Sequence, residues 1–177
     1  MKIDIVKVGY LQTNCYILTI DNNCLVIDPG DEVGKIKEYI GNKKLLKILL
    51  THHHFDHIGA LEELTKEYKI DVLDNTNLEE KEYTIDKFKF NVIFTKGHTT
   101  DSITYYFRKE KAMFVGDFLF KEGIGRCDLP TGNPCDMKKS LKKISKYDDD
   151  ITIYPGHDES STIGYEKKNN IYLKEVI

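Results

Sequence analysis

The segment Leu45-Leu46-Lys47-Ile48-Leu49-Leu50 runs directly into Thr51-His52-His53-His54-Phe55-Asp56-His57, and no other feature narrows the possible folds as much. The apolar run lacks the alternation of a strand with one wet face, which predicts a strand covered on both faces. A sheet buried in that way needs layers on either side, so the chain reads as α/β, with sheets carrying helices on their outer faces. The end of this strand then opens into a loop dense in imidazole and carboxylate. Strand ends entering tight loops are where a rigid frame can aim several side chains into one cleft.

The rest of the chain alternates extended and helical signals in keeping with this. Ile3 to Tyr10, Cys15 to Ile20 and Cys24 to Ile27 read as short strands, with Asn22-Asn23 as the hairpin turn between the last two and Asp28-Pro29-Gly30 as a stop. A helix is expected over Glu32 to Ile40, where Val33, Ile36, Tyr39 and Ile40 share one face and Gly41 ends it. Further helices are expected over Gly59 to Tyr68 and Met137 to Ser145, the latter with Met137, Leu141 and Ile144 inward. Ile70 to Leu73, Glu82 to Phe94, Ser102 to Phe107, Ala112 to Val115 and Ile151 to Tyr154 read as strands. No repeat, low-complexity tract or linker interrupts the pattern, so residues 1–177 are expected to form a single domain.

Composition limits the partners. With 40% hydrophobic and 31% charged residues and a formal net charge of -3, the chain offers no basic stripe for nucleic acid or an anionic membrane. Charges interrupt the amino end too early for a signal-peptide core, and no run approaches the roughly 18 apolar residues of a bilayer span. The cysteines Cys15, Cys24, Cys127 and Cys135 are far apart and form no Cys-x-x-Cys pair, so reduced thiols and a cytoplasmic location are expected.

Four of the six histidines lie in the window after Leu50; the others stand at Gly97-His98-Thr99 and Gly156-His157, each beyond a strand. A lone histidine is ordinarily a surface or core residue, but solvation does not explain a whole set placed at strand-to-loop junctions. Neutral imidazole and carboxylate suit zinc and also admit iron or manganese. His52 and His54, two apart on an extended segment, can reach one ion from the same side. Asp56 and His57, beyond a turn, can face a second. His98 and His157 are the natural completions, and Asp117, at the end of the apolar run Met113 to Val115, is the best candidate for a carboxylate shared between the ions.

Thr51-His52-x-His54-x-Asp56-His57, then Gly97-His98-Thr99, Gly116-Asp117 and Pro155-Gly156-His157, with Asp28-Pro29-Gly30 upstream, resembles the metallo-β-lactamase superfamily signature in order and approximate spacing. The segments Phe120 to Pro130 and Ser161 to Asn170 further resemble short bacterial glyoxalase II-like proteins. The resemblance implies a four-layer αββα sandwich with two divalent metals at one edge. It implies that His52, His54 and His98 hold the first metal, and Asp56, His57 and His157 the second, with Asp117 bridging. His53 matches no ligand position and reads as a neighbour of the ligands. Asp28 either orients a ligand imidazole or caps its strand, and Arg126 is expected to pair with Asp128 or a nearby carboxylate. Cys127 and Cys135 are expected to be structural.

The chemistry so implied is hydrolysis by a hydroxide shared between metals about 3.5–4 Å apart. Asp56 would orient the hydroxide or take its proton, and the substrate would be a small acyl thiol such as S-lactoylglutathione. Full-length glyoxalase II enzymes add a carboxyl-terminal helical glutathione-binding domain, which is not expected here, so another small-thiol thioester stays open. A mono-iron persulfide dioxygenase, which resembles the same family, is the alternative from another reaction class. A non-catalytic metal-binding protein is the alternative without chemistry.

Overall fold

The chain's alternating apolar residues each find a different layer, and three cores result. The computed structural model describes residues 1–177. β1 (Lys2–Val8), β2 (Thr13–Ile20) and β3 (Asn23–Ile27) form an antiparallel meander. Two strands, β4 (Lys44–Leu49) and β5 (Val72–Leu73), extend it in parallel. The crossovers are α1 (Val33–Ile40) and the pair α2 (Phe55–Ile58) and α3 (Leu61–Tyr68). The second sheet comprises β6 (Glu82–Ile85), β7 (Phe88–Phe94), β8 (Ile103–Phe107), β9 (Ala112–Gly116), β12 (Thr152–Pro155) and β13 (Ser161–Thr162), in the order β13-β12-β9-β8-β7-β6. Between β9 and β12 come a small hairpin, β10 (Leu119–Phe120) and β11 (Gly123–Ile124), and α4 (Pro134–Ile144). The chain closes with α5 (Ile163–Asn169) and α6 (Ile171–Lys174).

Successive side chains of a strand point to opposite faces, which assigns them to layers. Tyr16, Leu18, Leu25, Ile27 and Leu49 meet Phe90, Tyr105, Phe107 and Phe114 of the second sheet in a core between the sheets. Their neighbours Cys15, Ile17, Cys24, Val26, Ile48 and Leu50 pack against Ile36 and Ile40 of α1 and Leu64 of α3. On the far side, Ile93, Tyr106, Met113, Val115 and Ile153 meet Met137, Leu141 and Ile144 of α4 together with Ile163 and Leu173. Helix, sheet, sheet, helix is the four-layer αββα sandwich, and the segment at 45–50 is covered on both faces as its sequence requires. No helix is long and apolar enough to cross a membrane.

Several boundaries differ from the sequence reading. The first strand ends at Val8, not Tyr10, and the β2–β3 hairpin turns at Asp21-Asn22, not Asn22-Asn23, with Asp21 in the left-handed region at φ 52. Glu82 to Phe94 is two strands, because Asp86, also at φ 52, turns the chain and pairs Ile85 with Phe88. Tyr39 lies outward, leaving Ile36 and Ile40 as the buried residues of α1. The helix expected from Gly59 begins at Leu61 as α3, and a separate single turn, α2, precedes it within the histidine segment. That expected from Met137 starts earlier, at Pro134, where Asn133 accepts hydrogen bonds from the N–H groups of Cys135 and Asp136.

The sheets meet at one edge, which fixes the site. Strands β3 and β4 run parallel, as do β9 and β12, and β7 shares the direction of β9 through two antiparallel pairings with β8. Their carboxyl ends therefore open on one side. There Asn14 donates from its backbone N–H to Gly156 O at 2.7 Å, and Ile103 N–H donates to Thr51 O at 2.9 Å, joining the two sheets.

Candidate metal centre

Every residue nominated as a metal ligand arrives at this edge. His52 and His54 follow β4; Asp56 and His57 sit on the single turn α2; His98 follows β7; Asp117 follows β9; His157 follows β12. Three groups of donor atoms lie within 4.8 Å of one another: His52/His54/His98, Asp56/His57/His157, and a third, Asp28/His52/His57, in which Asp28 lies behind His57; the first two converge on the cleft. In the first, His54 Nδ1 is 3.1 Å from His52 Nε2 and 2.9 Å from His98 Nε2. In the second, Asp56 Oδ2 is 3.5 Å from His57 Nε2 and 3.2 Å from His157 Nε2. Asp117 stands between the groups. Its Oδ1 is 3.3 Å from His57 Nε2, and its Oδ2 is 3.6 Å from His98 Nε2 and 3.5 Å from His157 Nε2.

The far nitrogens of these rings settle which way their lone pairs point. His98 Nδ1–H donates to Arg126 O at 2.8 Å, and His157 Nδ1–H donates to Leu11 O at 3.1 Å. His57 Nδ1–H donates to Asp28 Oδ2 at 2.9 Å. Thr51 Oγ1 donates to the same Asp28 oxygen at 2.6 Å and lies 3.1 Å from His52 Nδ1. Each of these bonds leaves the Nε2 atom facing the cluster centre, the arrangement that fixes tautomer and ring orientation around a metal.

Do the residues fit metal ions? Ligand atoms about 2.0–2.1 Å from a tetrahedral ion stand about 3.3 Å from each other, close to the spacings seen in both groups. His57 Nε2 and Asp117 Oδ1 are buried with no hydrogen-bond partner, a costly state unless a cation completes them. Burial, reinforced by the neighbouring imidazoles, pushes His52 well below the usual histidine range, and burial together with His98 lowers His54, so both are neutral donors. Burial works against a proton on His57 and His157, yet the facing carboxylates raise them to about 10 and about 9. The carboxylates of this edge thus demand positive charge, which a divalent ion would supply. The donor set fits.

Gly156 shows how little slack there is. A Cβ there would lie 2.2 Å from Asp117 Oδ1 and 2.6 Å from His57 Cε1. Gly156→Ala is therefore expected to displace one of the two, lowering stability by about 1–3 kcal/mol and reducing the metal retained per chain. Chemical denaturation together with elemental analysis checks this, and parent-like values in both would contradict it.

The description "Metallo-beta-lactamase superfamily" belongs to the family model that matches residues 8–76 and 68–157. The chain belongs to that superfamily. Among relatives of this superfamily member, the "Probable metallo-hydrolase YqgX" of Bacillus subtilis is 33% identical, with 98% of each chain covered. The "Hydroxyacylglutathione hydrolase GloC" of Haemophilus influenzae is 31% identical, again with 98% of each covered. Relatives of this kind put the chain in the glyoxalase II-like subgroup. The crystal structure of the BLEG-1 B3 metallo-beta-lactamase superposes with a TM-score of 0.93 at 30% identity, covering 97% of this chain and 99% of that one. TTHA1623, solved in a di-iron-bound form, gives 0.87 at 28% identity and covers 96% and 99%.

In this superfamily member the two donor groups open into a cleft of about 540 Å³, lined by Leu11, Phe55, Phe120 and Leu129 among others. Arg126 pairs bidentately with Asp128, both bonds 2.8 Å, as expected from the sequence. Cys127 packs against the third core, whereas Cys135 is exposed on the first turn of α4 and builds no part of the fold's interior. Asp28 both caps its strand end, accepting from Thr51 N–H at 2.8 Å, and holds His57. His53 points away from both donor groups toward Asp101 and Asp74. Sequence reasoning missed Thr51, which relays Asp28 to His52, and Thr13, whose hydroxyl donates to Asp56 Oδ2 at 3.0 Å. It also missed Asp101, although that residue lies only three positions beyond His98.

Proposed function

We propose that this protein is a thioester hydrolase working through two divalent metal ions and acting on a small acyl thiol such as S-lactoylglutathione. The observation that carries this reading is the carboxylate of Asp117 placed between two converging donor groups. His52, His54 and His98 would hold one ion, and Asp56, His57 and His157 the other, with Asp117 shared. The imidazole-rich set suits zinc best and is compatible with iron or manganese. Ions bound there would supply Lewis-acid chemistry, lowering the pKa of a bound water toward neutrality and polarising a carbonyl oxygen.

The chain's own residues do the rest. His57, His98 and His157 are held from behind, so their rings need no reorganisation as charge develops. Burial opposes ionisation of Asp56, but His157, His57 and Thr13 outweigh it and hold the carboxyl down to about 2. So weak a base acts by accepting a hydrogen bond from the attacking water and fixing its direction, more than by storing its proton. A departing thiolate, whose parent thiol has a pKa of about 8.5, needs no acid from the protein. Leu11, Phe55, Phe120 and Leu129 supply apolar walls for the acyl or thiol portion. The four free cysteines fit a reducing compartment such as the cytoplasm.

The test is thiol release from S-D-lactoylglutathione by metal-loaded protein, with chelated protein as control. Release that disappears with the metal and returns on reloading is the expected result. No release from protein holding two metals would exclude this substrate. Oxygen uptake on glutathione persulfide, with about one iron per chain, would replace hydrolysis by the oxidative alternative.

A further inference from the structure

His53 is the one histidine outside both donor groups, yet it lies between His52 and His54 in sequence. Its backbone N–H and its Nδ1–H both donate to one oxygen of Asp101, at 3.1 and 2.6 Å. Asp101 belongs to the loop that carries His98. A single carboxylate therefore ties together the two segments from which the first metal's three ligands come. The other side of the ring is fixed too. Its Nε2 is 3.2 Å from Asp74 Oδ2, and Asp74 is itself fastened at the end of β5, accepting from Thr76 N–H at 2.8 Å and Thr76 Oγ1 at 2.6 Å.

We propose that Asp101 and His53 act as a latch that sets the distance between the His52–His54 segment and His98, and so tunes the first metal site and not the second. This rests on the metal-centre reading above. The physical reason is that these three nitrogens converge at 2.9–3.1 Å with nothing else bridging their two segments at that point. The other hydrogen bond between them is Ile103 N–H to Thr51 O, two residues from each latch partner and on the side away from His98. Residues that orient metal ligands without touching the ion typically change affinity by about 10–100-fold when replaced.

The test uses the full chain, its fold verified by circular dichroism, with zinc and cobalt(II) as probes and a chelator as competitor. In Asp101→Ala and His53→Gln, the ion bound through His52, His54 and His98 is expected to be held about tenfold more weakly. The other ion should keep the parent affinity. The cobalt(II) visible spectrum of the first site should shift, and Asp101→Asn, which keeps an oxygen for the backbone N–H, should recover most of the loss. Combining Asp101→Ala with His53→Gln should add little to either change alone, because the two act as one pair. Parent affinities and an unchanged cobalt spectrum in both single variants would overturn the latch, as would equal weakening of both ions, which signifies general loosening. A parent chain that binds no metal at either site would overturn the metal-centre reading and the latch together.

Discussion

Asp56→Asn is expected to lower kcat for thioester hydrolysis by about 10²–10⁴-fold, the range in which a positioned proton acceptor contributes to catalysis. The substitution keeps an oxygen where Oδ2 now faces His57 and His157 at 3.5 and 3.2 Å, so both metals should stay bound. What it removes is the full negative charge that receives the water's hydrogen bond, while the oxygen kept at the Oδ2 position still accepts from Thr13. Because that hydrogen bond matters to the attacking water and not to the resting acyl group, kcat and kcat/KM should fall together with KM nearly constant. Initial rates over a range of substrate, paired with metal analysis of the same samples, make the measurement. Loss of turnover together with loss of one metal would reduce Asp56 to a ligand. Turnover within about threefold of the parent at full metal loading would remove it from the mechanism, since even a weak catalytic acceptor contributes more than that.

How far the sequence discloses this arrangement depends on which physical signal each residue carries. The layers are legible because burial is periodic: Leu49 faces one core, Ile48 and Leu50 the other, and a strand with two apolar faces cannot be placed at a surface. The ligands are legible because imidazoles at several strand ends are hard to explain otherwise. Turns were harder. Asp21 and Asp86 take left-handed conformations that glycine would have advertised, and the run from Glu82 to Phe94 carries no glycine or proline to mark its reversal. The carboxyl-terminal helices α5 and α6 are short, and what fixes them is capping by Thr162 and Asn170, not periodicity. Asn170 also donates to Phe120 O and Gly123 O, fastening the β10–β11 hairpin beside the cleft. Asp101 and His53 meet only because two loops distant in sequence share an edge. No local pattern encodes that contact, and the same is true of the bond between Thr13 and Asp56.

Asp28→Ala is the substitution expected to harm the fold most. The carboxylate is almost wholly buried and receives three donors: Thr51 N–H at 2.8 Å, Thr51 Oγ1 at 2.6 Å and His57 Nδ1 at 2.9 Å. Alanine leaves all three without an acceptor around a histidine that has no contact with solvent. Breaking a buried pair in this way destabilises by about 3–5 kcal/mol, to be read from denaturant unfolding of metal-free protein so that bound ions do not mask the loss. The backbone adds to this, because Asp28 sits at φ 51, where alanine is strained and asparagine is tolerated. Asp28→Asn therefore separates the two roles of the residue. It keeps the shape, the left-handed backbone and an oxygen for Thr51 N–H, and should recover the part of the stability that rests on those. If Asp28 only capped its strand, metal binding would recover with it. If it also orients His57, an amide cannot accept from Thr51 N–H, Thr51 Oγ1 and His57 Nδ1 with two carboxylate oxygens' worth of lone pairs. The second ion should then be held about 10–100-fold more weakly even though the protein is more stable than Asp28→Ala. Parent-like affinity in Asp28→Asn would leave strand capping as the whole of its function.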